Sequence, residues 1–326
     1  MPKKVILSGM RPTGLLHLGN LVGALNNWKN LQDEYECFFM VADWHSLTTD
    51  YDNTENIKKY IREMLTDWIS VGLDPKRSIL FIQSHIKQHA ELTLLLGMIV
   101  PLPWLERVPT YKEQILQLSE KDLSSYGFLG YPLLQTADIL AYKANAVPVG
   151  EDQLPHLEIS REIARRFNSM YKPVFPEPQP LLSPVPKLLG TDGRKMSKSY
   201  GNCIYLSDDD ETLSKKVMSM ITDPARVRRN DPGHPEVCTV FSYHQIFTKK
   251  EVERISDQCK KAEIGCVDCK KILFDSLKKL LDPIRKKRQE IEKDPSYIDK
   301  VVDEGDKKAR DRAEQTLIEV RKAMKI

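Results

Sequence analysis

The sequence predicts an α/β protein, a doubly wound parallel sheet followed by a mostly helical C-terminal region. Three observations carry that reading. Short apolar runs at 5–7, 37–42, 79–82 and 146–149 alternate with helical patterns, the alternation that builds parallel sheets. Each run ends in polar or glycine residues, where open parallel sheets place their ligands. From Leu206 on, strand-like runs stop and helical patterns continue to Ile326.

The length of 326 residues suits about two domains. A hydrophobic content of 41% supports a large core, and 29% charged residues suit a solvated surface. A formal net charge of only +3 excludes a uniformly basic wrapper of nucleic acid. Positive charge is patchy instead: Arg226, Arg228 and Arg229, then Arg285, Lys286, Lys287 and Arg288, then Lys307, Lys308, Arg310 and Arg312. Such runs suit a solvated helix face or a surface that steers a polyanion. No secretory signal pattern opens the chain. No apolar run approaches the roughly 20 residues of a membrane span. A cytoplasmic protein is therefore expected, in which six cysteines are poor candidates for structural disulfides.

Each element follows in order. The first strand, 5–7, is broken by Ser8-Gly9 and Pro12-Thr13-Gly14; Leu18, Leu21, Val22, Leu25, Trp28 and Leu31 then recur at helical spacing. A strand running through a glycine loop into a helix offers free N–H groups and a positive dipole end to an anion. His17, Gly19 and Asn20 sit on that first turn. The second strand, 37–42, ends in Asp43-Trp44-His45-Ser46, which puts Asp43 and His45 where parallel sheets carry their chemistry, and a capped loop is the other account of Asp43. A helix over 54–71 is stopped by Gly72 and Asp74-Pro75. The third strand, 79–82, precedes a helix over 91–98. Pro101, Pro103, Pro109 and Gly127 then interrupt the pattern, marking an insertion over 101–130 that suits a lid or an interface.

The helix 131–142 is mostly apolar, yet Tyr131, Gln135 and Asp138 fall at i, i+4 and i+7, on one face. An ionised carboxylate buried there without a partner costs several kcal/mol. The trio therefore reads as the floor of a pocket in which Asp138 accepts from a ligand donor. Strand 146–149 feeds Gly150-Glu151-Asp152-Gln153 at a helix start. Its acids would accept from sugar hydroxyls or reach phosphate through Mg²⁺. The helix 153–167 carries Arg161, Arg165 and Arg166 outward, and 170–186 reads as irregular. At 190–202 a glycine- and serine-flanked loop carries Lys195 and Lys198 and suits a polyphosphate. Ser207 caps the next helix, 222–241 is irregular, and helices fill the remainder.

Two stretches carry a family resemblance. Pro12-Thr13-Gly14 with His17-Leu18-Gly19-Asn20 resembles the first signature of class I aminoacyl-tRNA synthetases, with Asn20 where many members have a second histidine. Lys195-Met196-Ser197-Lys198-Ser199 matches the second signature without departure. Asp43-Trp44-His45-Ser46-Leu47-Thr48 and Val147-Pro148-Val149-Gly150-Glu151-Asp152-Gln153 are similar to the tryptophanyl-tRNA synthetases. The resemblance spans about 3–205 and continues more loosely beyond. It implies a Rossmann-like catalytic domain over 1–205 and a helical anticodon-binding domain over 206–326. The sister tyrosyl enzymes share the Tyr131, Gln135 and Asp138 pattern and are the nearest alternative.

The implied reaction has two steps. ATP activates L-tryptophan to tryptophanyl-adenylate, and the aminoacyl group then passes to tRNA(Trp). The first step asks little proton chemistry of the protein; positioning and neutralisation of phosphate charge carry it. The implied catalytic residues are His17, Asn20, Lys195 and Lys198. His17 would act as charge builds at the α-phosphate, and the two lysines would hold the departing diphosphate with Ser197 and Ser199. Arg11, Pro12 and Thr13 would line the phosphate side, Gly19 and Asn20 would lie against ATP, and Met196 belongs to the same loop. Gly150, Glu151 and Asp152 would hold the ribose region. Asp138 would read the indole N–H, with Tyr131, Gln135, Val147 and Val149 walling the ring and His45, Leu7 and Gln153 completing the pocket. Mg²⁺ accompanies ATP. Family members are homodimers that bind tRNA across both subunits, which gives the insertion a third role to fill.

Four thiols remain. Cys238, Cys259, Cys266 and Cys269 have twenty, six and two residues between them. In a cytoplasmic protein such a set suggests a metal site. Structural zinc usually shows two close pairs, and the spacing matches neither ferredoxin pattern, so zinc and iron–sulfur both stay open on chemistry. The resemblance moves the balance: a minority of bacterial tryptophanyl enzymes carries a [4Fe–4S] cluster here, with a late C-x₆-C-x₂-C run. That cluster is the expectation, with structural Zn²⁺ as alternative. Two other classes of function compete, a non-aminoacylating tRNA- or nucleotide-binding paralogue and a nucleotidyltransferase. Intact signatures argue against the first, and the long helical C-terminal region against the second.

Overall fold

The computed structural model describes residues 3–109, 111, 123–182 and 188–326. Five parallel strands form one sheet in the order β3-β2-β1-β4-β5: β1 Val5–Met10, β2 Glu36–Val41, β3 Ser78–Ile82, β4 Ala146–Val149 and β5 Gln179–Leu182. The chain moves outward from β1 through β2 to β3, then returns to the other side of β1. The order thus reverses between β1 and β4, and the crevice at their carboxyl ends is where such sheets bind ligands. β5 lies within the stretch expected to be irregular. Pro180 conceals it in the sequence; an edge strand tolerates a proline that a central strand would not.

The first helix, α1, is continuous and has three parts: Leu18–Asn20, a π-helical stretch Leu21–Leu25, and Asn26–Leu31. Then come α2 Asp43–Asp50, α3 Ile57–Val71, α4 Gln88–Gly97, α5 Leu102–Glu106, α6 Tyr126–Ala141 and α7 Leu154–Met170. The C-terminal region supplies α8 Asp210–Ser219, α9 Thr239–Phe247, α10 Val252–Lys260, α11 Cys266–Glu292 and α12 Pro295–Met324. Three expectations need correction. Asp43-Trp44-His45-Ser46 opens α2 rather than a loop, with Asp43 in the first turn accepting from the Ser84 N–H at 3.0 Å. The cap of α8 is Asp209, which accepts from the Thr212 N–H, not Ser207. Within 101–130, α5 and the start of α6 are helical, and 112–122 lies outside the described residues.

The core has two faces. On one, Trp28 stacks on Phe39 with ring centroids 4.7 Å apart and meets Trp68 edge-on, and Leu273, Leu277 and Leu281 of α11 belong to the same cluster. On the other, Phe38, Phe81 and Tyr142 cluster with Ala309, Ala313 and Leu317 of α12. The last helix runs against β3, the edge strand, which a sheet must cover or pair. Close approach requires Gly305, because a Cβ there would collide with the Leu80 carbonyl. Asp306 then accepts from the Ile82 N–H at 3.1 Å and meets His85 Nδ1 at 2.5 Å. No helix among the described residues is long and apolar enough to cross a membrane.

Each of the first two basic runs gives up part of its charge to internal partners, while Arg228, Arg229, Lys286, Lys287, Lys307, Lys308 and Arg310 stay exposed. Arg288 of α11 is buried against Asp67 and Glu63 of α3. Arg285 pairs with Asp210 and Asp282. Arg226 is buried and donates to the carbonyls of Arg229 and Ile264. Arg161 and Arg165 pair with Glu158 and Glu177, and Arg166 donates to the Ile99 carbonyl beside Trp104 rather than pointing outward.

Candidate active site

A cavity of about 340 Å³ opens at the carboxyl ends of β1 and β4. Leu7 comes from β1, Val147 and Val149 from β4, and His45 from α2. Tyr131, Gln135 and Asp138 project from α6 as the predicted polar face, and Gln153 closes the rim. The eight residues expected around the ring therefore border one cavity. His156, also on its wall, gave no signal in the sequence.

Asp138 is buried at the bottom of this cavity and held by three side chains. Gln83 Nε2 donates to both carboxylate oxygens at 2.9 Å, His45 Nε2 lies 2.8 Å from Oδ2, and His89 Nδ1 meets Oδ1. Burial alone would raise this carboxyl. The charge of His89, the hydrogen bonds from both histidines and the charge of His45 outweigh it and bring Asp138 down to about 2. The group is an ionised acceptor at neutral pH. Its roughly four lone-pair sites are matched by four contacts. Only His45 among the three partners borders the cavity, since Gln83 and His89 are fully buried behind it. His45 is thus the partner of Asp138 that lies on the cavity side, bonded to Oδ2. Sequence reasoning missed Gln83 and His89: one was visible only as a polar residue after β3, the other as one histidine on a mostly apolar helix.

The two signature loops meet. The Leu18 N–H donates to the Ile204 carbonyl at 2.9 Å, and the Leu206 N–H to the Leu16 carbonyl at 3.0 Å. The segment that follows Lys195 to Ser199 is thus hydrogen-bonded to the loop that carries His17. Asn20 Oδ1 accepts from the His17 N–H at 3.0 Å, which fixes the first turn. His17 Nδ1 is buried without a hydrogen-bond partner among the described residues. Burial, then the charge of Lys198, push this imidazole down to about 4, so it is neutral at pH 7. Such an orphaned polar atom fits a ligand group. Gly14 has φ of 130°, and the Lys198 side chain lies over its open face. Burial pushes Lys198 down to about 8, while Lys195 is exposed.

Asn202 braces the cationic loop. Its Oδ1 accepts from the Ser197 N–H at 2.8 Å, and its Nδ2 donates to Asp192 at 2.7 Å and to the Lys195 carbonyl at 3.2 Å. Met196 is buried beneath, and the Ser197 and Ser199 hydroxyls are 2.9 Å apart. Arg11 borders the main cavity and donates to Thr49, with Pro12 and Thr13 turning the chain behind it. Gly19 lies in the first turn of α1. Gly150 borders a second, adjoining cavity of about 160 Å³ that also touches Gly23 and Asn27. Glu151 is exposed on the turn into α7, and the side chain of Asp152 lies outside what is described.

The four late cysteines come together. Cys238 ends the loop before α9, Cys259 lies near the end of α10, and Cys266 and Cys269 open α11. Each is an electrostatic neighbour of the others. Cys259 is 3.7 Å from Arg226 Nη1, and Cys269 is 3.3 Å from His244 Nε2. As placed, however, no three His, Cys, Asp or Glu side chains among the described residues are close enough to hold a metal ion. The donor set fits a thiolate-bound group in composition, and its spacing does not support one.

Known proteins resemble this chain over nearly its whole length. A family model described as tRNA synthetases class I (W and Y) matches residues 2–282. The tryptophan–tRNA ligase of Thermotoga maritima is 56% identical over 98% of this chain and 99% of its own length. That of Aquifex aeolicus is 47% identical over 98% and 99%. Among solved structures, the tryptophanyl-tRNA synthetase of Campylobacter jejuni complexed with ADP and tryptophan superimposes with a TM-score of 0.90. It is 30% identical and covers 99% of this chain and 100% of its own.

Proposed function

The chain belongs to the class I tRNA synthetases of the tryptophan and tyrosine branch and has the activity of a tryptophan–tRNA ligase; on that premise we propose how its residues divide the work. Its substrates are ATP, tryptophan and tRNA. Asp138 accepts the indole N–H, Tyr131, Gln135, Val147, Val149 and Leu7 wall the ring, and Gln153 lies toward the amino group. His45 gives up Oδ2 as the indole arrives. The observation that carries this reading is a buried carboxylate, held ionised by its partners, at the floor of a cavity whose walls mix apolar strand-end residues with polar side chains.

Arg11, Pro12, Thr13, Gly19 and Asn20 take the phosphate and nucleoside side of ATP, with Mg²⁺ accompanying the nucleotide. Gly150, Glu151 and Asp152 take the ribose region. Lys195, Lys198, Ser197 and Ser199 take the departing diphosphate, with Met196 seating their loop. Neutral His17 donates a hydrogen bond as charge builds at the α-phosphate, and its unpartnered nitrogen supports that role. ATP–pyrophosphate exchange with each amino acid separately is the test. Exchange is expected with tryptophan and not with tyrosine or phenylalanine; comparable exchange with tyrosine would refute this pocket.

Residues 1–205 form the catalytic unit in this reading, and 206–326 the unit that faces the tRNA anticodon, presenting exposed Arg228 and Arg229. The protein works in the cytoplasm as a homodimer. An apolar hollow lined by Trp44, Leu47, Tyr51, Leu94 and Tyr126 supports the dimer, as does the exposure of Leu94, Met98 and Leu102 beside it. Cys238, Cys259, Cys266 and Cys269 would hold a [4Fe–4S] cluster, with Zn²⁺ as alternative; the four-thiol donor set supports the site by its composition and not by its spacing, and its role would be to fix the helical unit. Protein purified without oxygen should be brown, with broad visible absorbance lost in Cys266→Ser. A colourless protein containing zinc would replace the cluster by the alternative, and a metal-free protein would remove both.

A further inference from the structure

Behind the cavity, the network around Asp138 extends to groups that no ligand reaches. His89 is fully buried on α4, with Nδ1 on Asp138 Oδ1 and Nε2 2.7 Å from the Tyr142 hydroxyl. Its ring packs beside Phe81 and Tyr142 with centroids 6.2 and 5.5 Å away. Both ring nitrogens are therefore committed and the ring cannot turn without losing two buried bonds. An imidazole this buried is commonly a satisfied core group. Here its partner is the one carboxylate assigned to recognition, and among the described residues Oδ1 is otherwise held by the shared Gln83 amide.

We propose that His89, braced by Tyr142, is the positioning residue for amino-acid selection, holding Oδ1 of Asp138 so that Oδ2 alone faces the cavity as an ionised acceptor. The inference rests on the assignment of Asp138 to the indole N–H. It separates two jobs among the histidines: His45 borders the cavity and exchanges with the ligand, whereas His89 stays. Without His89, Oδ1 keeps only the amide that Gln83 shares between both oxygens, so the carboxylate is held less firmly, and burial is opposed by one histidine instead of two. The groups facing Asp138 are His45 from α2, Gln83 after β3 and His89 from α4, with Tyr142 behind His89 and Asp306 of α12 acting on Tyr142. Among the described residues, only the Gln83 amide shares Oδ1 with His89.

The test compares tryptophan with its sulfur isostere, 3-(benzothiophen-3-yl)alanine, which lacks the N–H, in ATP–pyrophosphate exchange between pH 5 and 8. The intact protein should prefer tryptophan strongly, with no acid limb from Asp138 in kcat/KM. His89→Leu should lower that preference by at least about tenfold and bring an acid limb into the range as the carboxyl rises. His89→Asn keeps a donor at the position of Nδ1 but supplies no charge. It should keep most of the preference and still show the acid limb, and it decides the matter should the leucine variant fail to fold. A folded His89→Leu with unchanged preference and profile, or a His89→Asn with an unchanged profile, overturns the proposal. Asp138→Ala is the separate control: if it keeps the preference, the parent assignment fails; if it alone loses it, only the role of His89 fails.

Discussion

Asp138→Ala is expected to lower kcat/KM for tryptophan by about 10³-fold or more and to erase most of the discrimination against phenylalanine. A site built to hydrogen-bond one ligand group rejects ligands lacking it by about 10⁴ or more in favourable cases, because the unpaired site atoms carry the cost. In this protein the effect compounds. Removing the carboxylate strands His45, Gln83 and His89, all pointed at the same two oxygens. Breaking a buried charged pair costs about 3–5 kcal/mol, so part of the loss will appear as reduced stability. The ratio of exchange rates for tryptophan and phenylalanine is independent of how much protein is folded, and it is the quantity to measure. A variant that activates tryptophan normally and still excludes phenylalanine would show that Asp138 is a structural carboxylate.

Why that pocket was half legible in advance is instructive. Tyr131, Gln135 and Asp138 betray themselves because a helical period puts three polar groups on one face of an apolar helix. Leu7, Val147 and Val149 come from the family resemblance, and they lie at the strand ends where parallel sheets bind ligands. Gln83 and His89 do not betray themselves, since their significance lies in contacts across 55 and 49 residues of sequence. The same holds for the late helices. A run such as Arg285 to Arg288 looks like a polyanion surface until folding sets Arg288 against Asp67 and Arg285 against Asp210. Charge in a sequence has a sign and a position but no partner. β5 escaped for the opposite reason: a local rule about proline was correct on average and did not apply at an edge.

Lys198 and Lys195 should separate binding from chemistry. Lys195→Ala and Lys198→Ala are each expected to slow adenylate formation about 10²–10³-fold, the range seen when one preorganised group is removed from developing charge, while tryptophan binding changes little. Single-turnover adenylation beside equilibrium tryptophan binding measures the split, and equal losses in both would argue against a transition-state role. Lys198 adds a pH signature. Burial beside Gly14 and His17 holds it at about 8 in the free protein, and contact with polyphosphate must raise it. Below pH 8 it is already charged and its contribution is complete; as pH rises past 8, binding has to recharge it. The free enzyme's value governs kcat/KM, so kcat/KM for ATP should fall above about pH 8. Lys198→Arg keeps its charge throughout and should lose this alkaline limb even if it is slower. Arginine at this position with the limb unchanged would mean that another group titrates there and that Lys198 is not the residue meeting the phosphates.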